Sequence, residues 1–219
     1  MRRLALVAVV FLLSGCGSSG SDYSLYYQAV RQSISASFGG NTNVTKDQAA
    51  AIPYASIGYR VNDGPEQLLV LATDSGEEQL WTSAAHVVIV TRGGRIVRTV
   101  GLTQDVSAVT PQKGQQLLIP TDVAGQSLTS VRLEDFAGIP AYGAAVKCTA
   151  QPRGLETIVI LGRGITTRKV DEACHSDLLD WSFTDSYWVD PQNSLVWRSI
   201  QHVSPKGEKV EIETLRPPG

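Results

Sequence analysis

The 219-residue sequence predicts a mainly β protein, with antiparallel sheets forming a sandwich or an incomplete barrel and an amphipathic helix at the N-terminus. Two observations predict it. From residue 57 onward, short runs of β-branched and aromatic residues are separated by turn chemistry. In the last runs, moreover, both faces carry large side chains. Trp181, Phe183, Tyr187 and Val189 share one face; further on, Leu195, Trp197 and Val203 oppose Val196, Ile200 and His202. Such a sheet is covered on both sides, by the helix and a second sheet or by curling into a half-barrel.

The chain opens with Arg2 and Arg3, an unbroken apolar run over 4–13, and then Ser14-Gly15-Cys16. The run is too short to span a bilayer and fits the core of a signal peptide. Leu13-Ser14-Gly15-Cys16 is the pattern of a bacterial lipobox, in which diacylglycerol alkylates the cysteine thiol, the chain is cut before it, and the new amine is acylated. Residues 1–15 are therefore read as a lipoprotein signal peptide and Cys16 as the lipidation site. Several acyl chains, at about 0.8 kcal/mol per buried methylene, make a lasting anchor. No second apolar run reaches transmembrane length, so the lipid is the expected membrane element. Gly17, where many lipoproteins retained at the inner membrane have aspartate, directs the expectation to the periplasmic face of the outer membrane.

Residues 16–21, rich in Gly and Ser, read as the lipidated cysteine and a flexible tether, and 22–219 as a single domain. Tyr23, Tyr26, Val30, Ile34 and Phe38 fall on one face of a helix, with Asp22 as N-cap and Gly39-Gly40 as the stop. Thr45 and Gln48 form a capping-box pattern for a short second helix through Ala51, ended by Pro53. Strands are expected near 57–61, 67–73, 79–83, 86–91, 95–102, 127–136, 142–149, 156–162, 180–189, 195–204 and 208–215. Asn62-Asp63-Gly64-Pro65, Asp74-Ser75-Gly76, Gly93-Gly94, Pro191-Gln192-Asn193 and Pro205-Lys206-Gly207 supply turns. The stretch 103–125, rich in Gln, Pro and Gly, is the most loop-like interior segment and a candidate subdomain boundary.

Loss of residues 1–15 removes both leading arginines and takes the net charge from -2 to -4. That weakly acidic balance argues against nucleic acid as a partner. Cys148 and Cys174 remain as an even pair in an oxidising compartment, which predicts a disulfide worth roughly 3.5 kcal/mol in the chain-entropy model.

No catalytic constellation, metal site or cofactor motif is visible. His86, His175 and His202 are scattered singly, and Cys174-His175 lacks the further ligands a metal needs. Gly162-Arg163-Gly164 has no βαβ context for a dinucleotide. Asp185 and Asp190, five apart on one strand, face opposite sides of the sheet. The remaining signal is a set of aromatic and planar polar residues suited to a sugar: Trp81, Trp188, Asp190, Trp197, Arg198 and Gln201. The competing reading is that these tryptophans fill the core.

Several segments carry a family pattern: Ile52-Pro53-Tyr54-Ala55-Ser56-Ile57, Trp81, 94–102 (GRIVRTVGL), Tyr187-Trp188-Val189-Asp190, 196–201 (VWRSIQ) and 210–217 (VEIETLRP). In this order, behind a lipobox, they resemble the YjbF/GfcB family of group 4 capsule lipoproteins. The turn before Val196 departs slightly, holding Asn193-Ser194 where the family often has Gly. The resemblance implies a non-enzymatic outer-membrane accessory factor in capsule or exopolysaccharide assembly or export. Its partners would be the membrane, through the lipid, and polysaccharide or proteins of the export machinery. Two alternatives stand beside it. One is a polysaccharide-modifying enzyme using Asp185 or Asp190 with Glu134, Asp135 or Glu172; the other is a purely structural periplasmic tether.

Replacing Cys16 with serine is expected to abolish incorporation of labelled palmitate and to move the protein from the membrane to the soluble fraction. Continued palmitate labelling of the variant would assign the lipid elsewhere.

Overall fold

The computed structural model describes residues 43–117, 119 and 126–219. Cys16, the tether and the expected helix over 22–38 lie outside them. The first described element is α1 (Lys46–Ala50), and it begins with the expected capping box. The Thr45 hydroxyl accepts from Gln48 N–H at 3.2 Å, and the Gln48 side chain accepts from Thr45 N–H at 2.7 Å. Val44 and Ile52, on either side of α1, pack against Leu68, Val70 and Leu215 on the outside of the sheet.

Twelve strands follow among the described residues: β1 (Ser56–Val61), β2 (Gln67–Asp74), β3 (Gln79–Thr82), β4 (Val88–Arg92), β5 (Arg95–Val100), β6 (Val106–Pro111), β7 (Leu128–Phe136), β8 (Ala144–Ile160), β9 (Arg163–Ser176), β10 (Trp181–Val189), β11 (Val196–His202) and β12 (Lys209–Arg216). They form one antiparallel sheet in the order β5-β4-β3-β2-β1-β12-β11-β10-β9-β8-β7-β6. Every neighbouring pair is consecutive in sequence except β1 and β12, which join the two ends of the strand series mid-sheet. The consecutive strands that do not pair are β5 and β6, the two edges. Curling brings them together, so the sheet is nearly closed into a barrel and the incomplete-barrel form of the prediction holds.

Side chains close the seam where ladder hydrogen bonds do not. Thr99 Oγ1 on β5 accepts from Val106 N–H on β6 at 3.1 Å and donates to Asp105 at 2.8 Å. The Asp105 carboxylate also accepts from Gly101 N–H and Leu102 N–H, which fixes the tight connection between the edges. Deeper in, Gln201 on β11 treats the β5 edge as a strand would. Its Oε1 accepts from Ile96 N–H at 2.9 Å and its Nε2 donates to Gly94 O at 2.9 Å.

The interior splits into an apolar and a polar part. Trp81, Ile89, Val97, Phe136, Trp181 and Phe183 anchor the apolar cluster. There the Trp181 and Phe183 rings stack at 3.9 Å, with Phe136 edge-on to Trp181 at 5.8 Å. Cys148 and Cys174 face each other across β8 and β9 and are joined by a disulfide.

Three sequence expectations change. The segment 103–125, read as a loop and candidate boundary, contains β6, an edge strand of the same sheet. The runs at 142–149 and 156–162 are one strand, because the Pro152–Gly154 irregularity is a bulge, with Gly154 at φ 125°, and not a turn. Its partner β9 has no counterpart among the strands expected from sequence. Polar side chains, Glu172 and Thr167, are buried along it and mask the apolar alternation.

The third change concerns the faces of β11. A register shift between β10 and β11 sets Trp188 opposite Arg198 but Val189 opposite Val196, leaving Trp197 as the extra residue. Val196 therefore packs inside with Tyr187 and Val189, while Trp197 turns outward beside Trp188. Alternation had placed Trp197 with Val203. Outside, the β8–β9 pair runs past its neighbours as a two-stranded ribbon, and Ile158, Ile160 and Ile165 cover Trp188 and Trp197.

Replacing both Cys148 and Cys174 with alanine releases a crosslink of sequence separation 26. The expected outcome is a loss of roughly 3 kcal/mol in unfolding free energy with the β spectrum retained, measured by denaturant titration under circular dichroism.

Candidate functional site

The centre of the barrel is charged. Arg95 on β5, Arg132 and Glu134 on β7, Glu172 on β9 and Asp185 on β10 are all buried. Arg95 holds Glu172 through two bonds, Nη1 to Oε2 at 2.7 Å and Nη2 to Oε1 at 3.0 Å, and donates from Nε to Leu117 O at 2.8 Å. Arg132 reaches three carboxylates: Glu134 at 2.5 Å, Glu172 at 2.9 Å and Asp185 at 3.4 Å. Tyr187 accepts from Arg95 at 3.0 Å and donates to Gln201 at 3.3 Å. Asp185 accepts His202 N–H at 2.8 Å, with the His202 ring at 3.2 Å from the same oxygen.

Burial by itself would raise the Glu172 carboxyl, yet Arg95 and Arg132 outweigh it and hold the pKa at about 2. Glu134 shifts upward, because burial dominates over its bond to Arg132. Burial likewise raises Tyr187 well above the ordinary phenol range.

Three acids considered for catalysis thus converge, but on arginine. The void beside them is about 10 Å³, room for at most one water. Asp135 and Asp190 are elsewhere, each capping a turn: Asp135 accepts from Gly143 N–H, and Asp190 from Gln192 N–H at 2.9 Å. The Gln192 bond is the main reason the Asp190 carboxyl is lowered.

The six residues predicted to bind sugar fall in three places. Trp188, Asp190, Trp197 and Arg198 do come together, but under and beside the ribbon. Trp188 and Trp197 are only 7% and 8% exposed. Lys169 and Arg198 lie over the Trp188 ring at 5.2 and 5.8 Å, Arg163 lies over Trp197 at 5.4 Å, and Trp197 Nε1 donates to Asp190 at 3.2 Å. Arg198 is paired with Glu213 and donates to Val159 O at 3.2 Å, tying the ribbon down. Neither indole offers an open stacking face. Gln201 is the seam lock described above. Trp81 is buried on the interior face, its Nε1 donating to Thr91 Oγ1 at 2.9 Å.

Trp81 does line an indentation that opens at an end of the barrel. This mouth, about 190 Å³, lies where the β2–β3, β4–β5 and β10–β11 turns meet the C-terminal end of β12. Ile57, Trp81, Val196 and Ile212 give it apolar walls; Gln79, Thr91, Ser199 and Thr214 add polar groups. Gly94, at φ 84°, sits against the Val196 side chain, where a Cβ would collide. Gln79, Thr91, Ser199 and Thr214 were not singled out from sequence. Their only signal is a polar residue recurring on the inward face of otherwise apolar strands, and the bulge at Trp197 hides it on β11.

Comparison with known proteins decides the family. Residues 27–215 match the model described as group 4 capsule polysaccharide lipoprotein gfcB, YjbF. The chain belongs to this family. Among YjbF-family proteins of Escherichia coli K12, the uncharacterized lipoprotein GfcB is 26% identical over 219 residues, covering 99% of both chains. The uncharacterized lipoprotein YjbF is 25% identical over 202 residues, covering 89% of each. The crystal structure of the hypothetical lipoprotein YmcC from the same organism matches with a TM-score of 0.74 at 25% identity, over 93% of this chain and all of that one. This YjbF-family chain therefore shares its nearly closed sheet with a solved lipoprotein.

Glu172→Gln removes the charge that both arginines share, and is expected to destabilise the fold by roughly 3–5 kcal/mol. The folded-state pKa of Glu172 lies below its usual value of 4.5, so its contribution is complete above about pH 4.5 and drains away as pH falls toward about 2. Denaturant melts across that range should show a shallower acid-side loss in the variant than in wild type; equal slopes would count against the assignment.

Proposed function

We propose that the protein is a lipid-anchored accessory factor at the periplasmic face of the outer membrane, working without catalysis in capsule or exopolysaccharide assembly or export, where it binds polysaccharide or an export partner. The observation that carries this reading is the family match over nearly the whole chain, to lipoproteins whose family description names capsule polysaccharide. The lipobox at Cys16 supports membrane attachment, and Gly17 supports the outer membrane. The non-enzymatic part is supported by the central carboxylates. Glu134, Glu172 and Asp185 are held by Arg95 and Arg132 around a space too small for a sugar ring.

Deleting the gene is expected to lower surface polysaccharide, with recovery from a plasmid carrying the wild-type gene but not Cys16→Ser. Unchanged surface polysaccharide in the deletion strain overturns the reading. Recovery by Cys16→Ser removes the anchor from it.

A further inference from the structure

We propose that the end of the barrel opposite the mouth rests on the lipid bilayer, with Tyr142 and Leu178 inserted at the level of the headgroups. This rests on the reading of Cys16 as a lipid anchor, and it adds a second, non-covalent contact that sets which way the barrel faces.

Strand direction sorts the connections between the two ends. Every neighbouring pair is antiparallel, so odd-numbered strands run one way and even-numbered strands the other. The β1–β2, β3–β4, β5–β6, β7–β8, β9–β10 and β11–β12 connections therefore gather at one end, away from the mouth. The chain from Cys16 arrives at that same end. Asn43, the first described residue, accepts from Arg60 Nη2 at 2.9 Å, and Val44 N–H donates to Glu66 at 2.6 Å. Arg60 and Glu66 flank the β1–β2 turn. Residues 16–42 thus tether this end first, which raises its effective concentration at the bilayer.

Three of the connections adjoin around the ring: β9–β10, β7–β8 and β5–β6, the last crossing the seam. Some of their apolar side chains turn inward and others do not. Leu102, Ile139 and Leu179 pack against the core, whereas Tyr142 is 84% exposed, Leu178 65% and Val100, at the end of β5, 51%. Residues 137–143 (AGIPAYG) hold no Lys, Arg, Asp or Glu, nor do 83–87 (SAAHV) in the next connection beyond the seam. Asp105 is spent on Gly101 N–H, Leu102 N–H and the Thr99 hydroxyl, and Asp177 beside Leu178 is paired with Lys147 at 2.8 Å. Asp180, and Asp63, Lys206 and Glu208 on the far side of the ring, are placed to meet headgroups and water. The mouth end differs, with Asp74, Glu77, Glu78, Arg92 and Asp190 in or beside its turns.

The chemistry selects a bilayer. A tyrosine joins an apolar ring to a polar tip, the combination favoured at the boundary of acyl chains and headgroups. The β7–β8 connection also enters a water-poor medium with much of its backbone satisfied: Ala137, Ile139, Ala141 and Gly143 N–H donate to Asp105 O, Phe136 O, Ile139 O and the Asp135 carboxylate. Apolar tips on separate turns suit a fluid partner that fills in around them. Docked in this way, the mouth and the tip of the β8–β9 ribbon point away from the membrane.

The test uses the full-length lipoprotein carrying Tyr142→Trp, incorporated into phosphatidylcholine vesicles with or without bromine on the upper acyl chains. The four native tryptophans are buried, so the difference reports on the added indole. Bromine is expected to quench it strongly, and to spare the indole added by Gln192→Trp in the β10–β11 turn at the mouth end. Adding Leu178→Ser to Tyr142→Trp should lower the ratio of docked to undocked protein roughly fivefold, the worth of partly burying one leucine. High salt should leave that ratio unchanged, because the contact is apolar. Protein that floats with the vesicles but shows no quenching of Tyr142→Trp, or equal quenching at both ends, overturns the docking and leaves the anchor standing. Emission from Tyr142→Trp that follows the protein-to-lipid ratio but not bromine assigns the tips to a second copy of the chain and overturns it too. Failure to float overturns the anchor, and the docking with it.

Discussion

The contact on which the rest of the structure depends is the two-point bond between Arg95 and Glu172. Arg95 stands at the start of β5, one edge of the sheet, and Glu172 on β9, three strands in from the other. A twelve-stranded meander with two free edges can curl to many degrees, and nothing in its ladders chooses among them. A buried guanidinium reaching a buried carboxylate across the interior does choose, because either group left alone in that medium would cost several kcal/mol. Arg132 extends the constraint to β7 and β10, and Gln201 repeats it in neutral form by bonding the β5 backbone directly. The sheet is closed by side chains whose alternative is an unpaired buried charge.

That choice divides the interior. The charged centre is filled by its own partners and leaves about 10 Å³, while the end bounded by Gln79, Thr91 and Ser199 stays open. The two regions are linked through Ser199, Gln201, Tyr187 and Arg95, each within hydrogen-bond reach of the next. The polar groups at the mouth are therefore positioned by the same network that holds the barrel shut.

The outer face follows a separate logic. The bulge on β11 turns Trp197 outward to join Trp188, and two exposed indoles on a curved sheet would be an association hazard. The β8–β9 ribbon covers them with Ile158, Ile160 and Ile165, while Arg198 pins it through Val159 O. Large residues on both faces of β10 and β11 thus have two different covers, the barrel interior and the ribbon.

Much of this was legible in the chain itself. The capping box at Thr45 and Gln48, the hairpin turns and the inward set Trp181, Phe183, Tyr187 and Val189 all follow from local chemistry, since a cap, a turn or a pleat is settled within a few residues. The family pattern was legible for the same reason, as ordered strings such as VWRSIQ. Tertiary structure alone decided which way Trp197 faces, that Pro152 and Gly154 form a bulge within one strand, that β9 is a strand although it buries Glu172 and Thr167, and that six candidate ligand residues fall in three separate places. Each of these turns on what lies across the barrel: a carboxylate reads as surface until an arginine from another strand meets it, and a one-residue bulge reverses every face after it. Local sequence fixes periods and turns; the partners that give them a side and a purpose are brought in only by closure of the sheet.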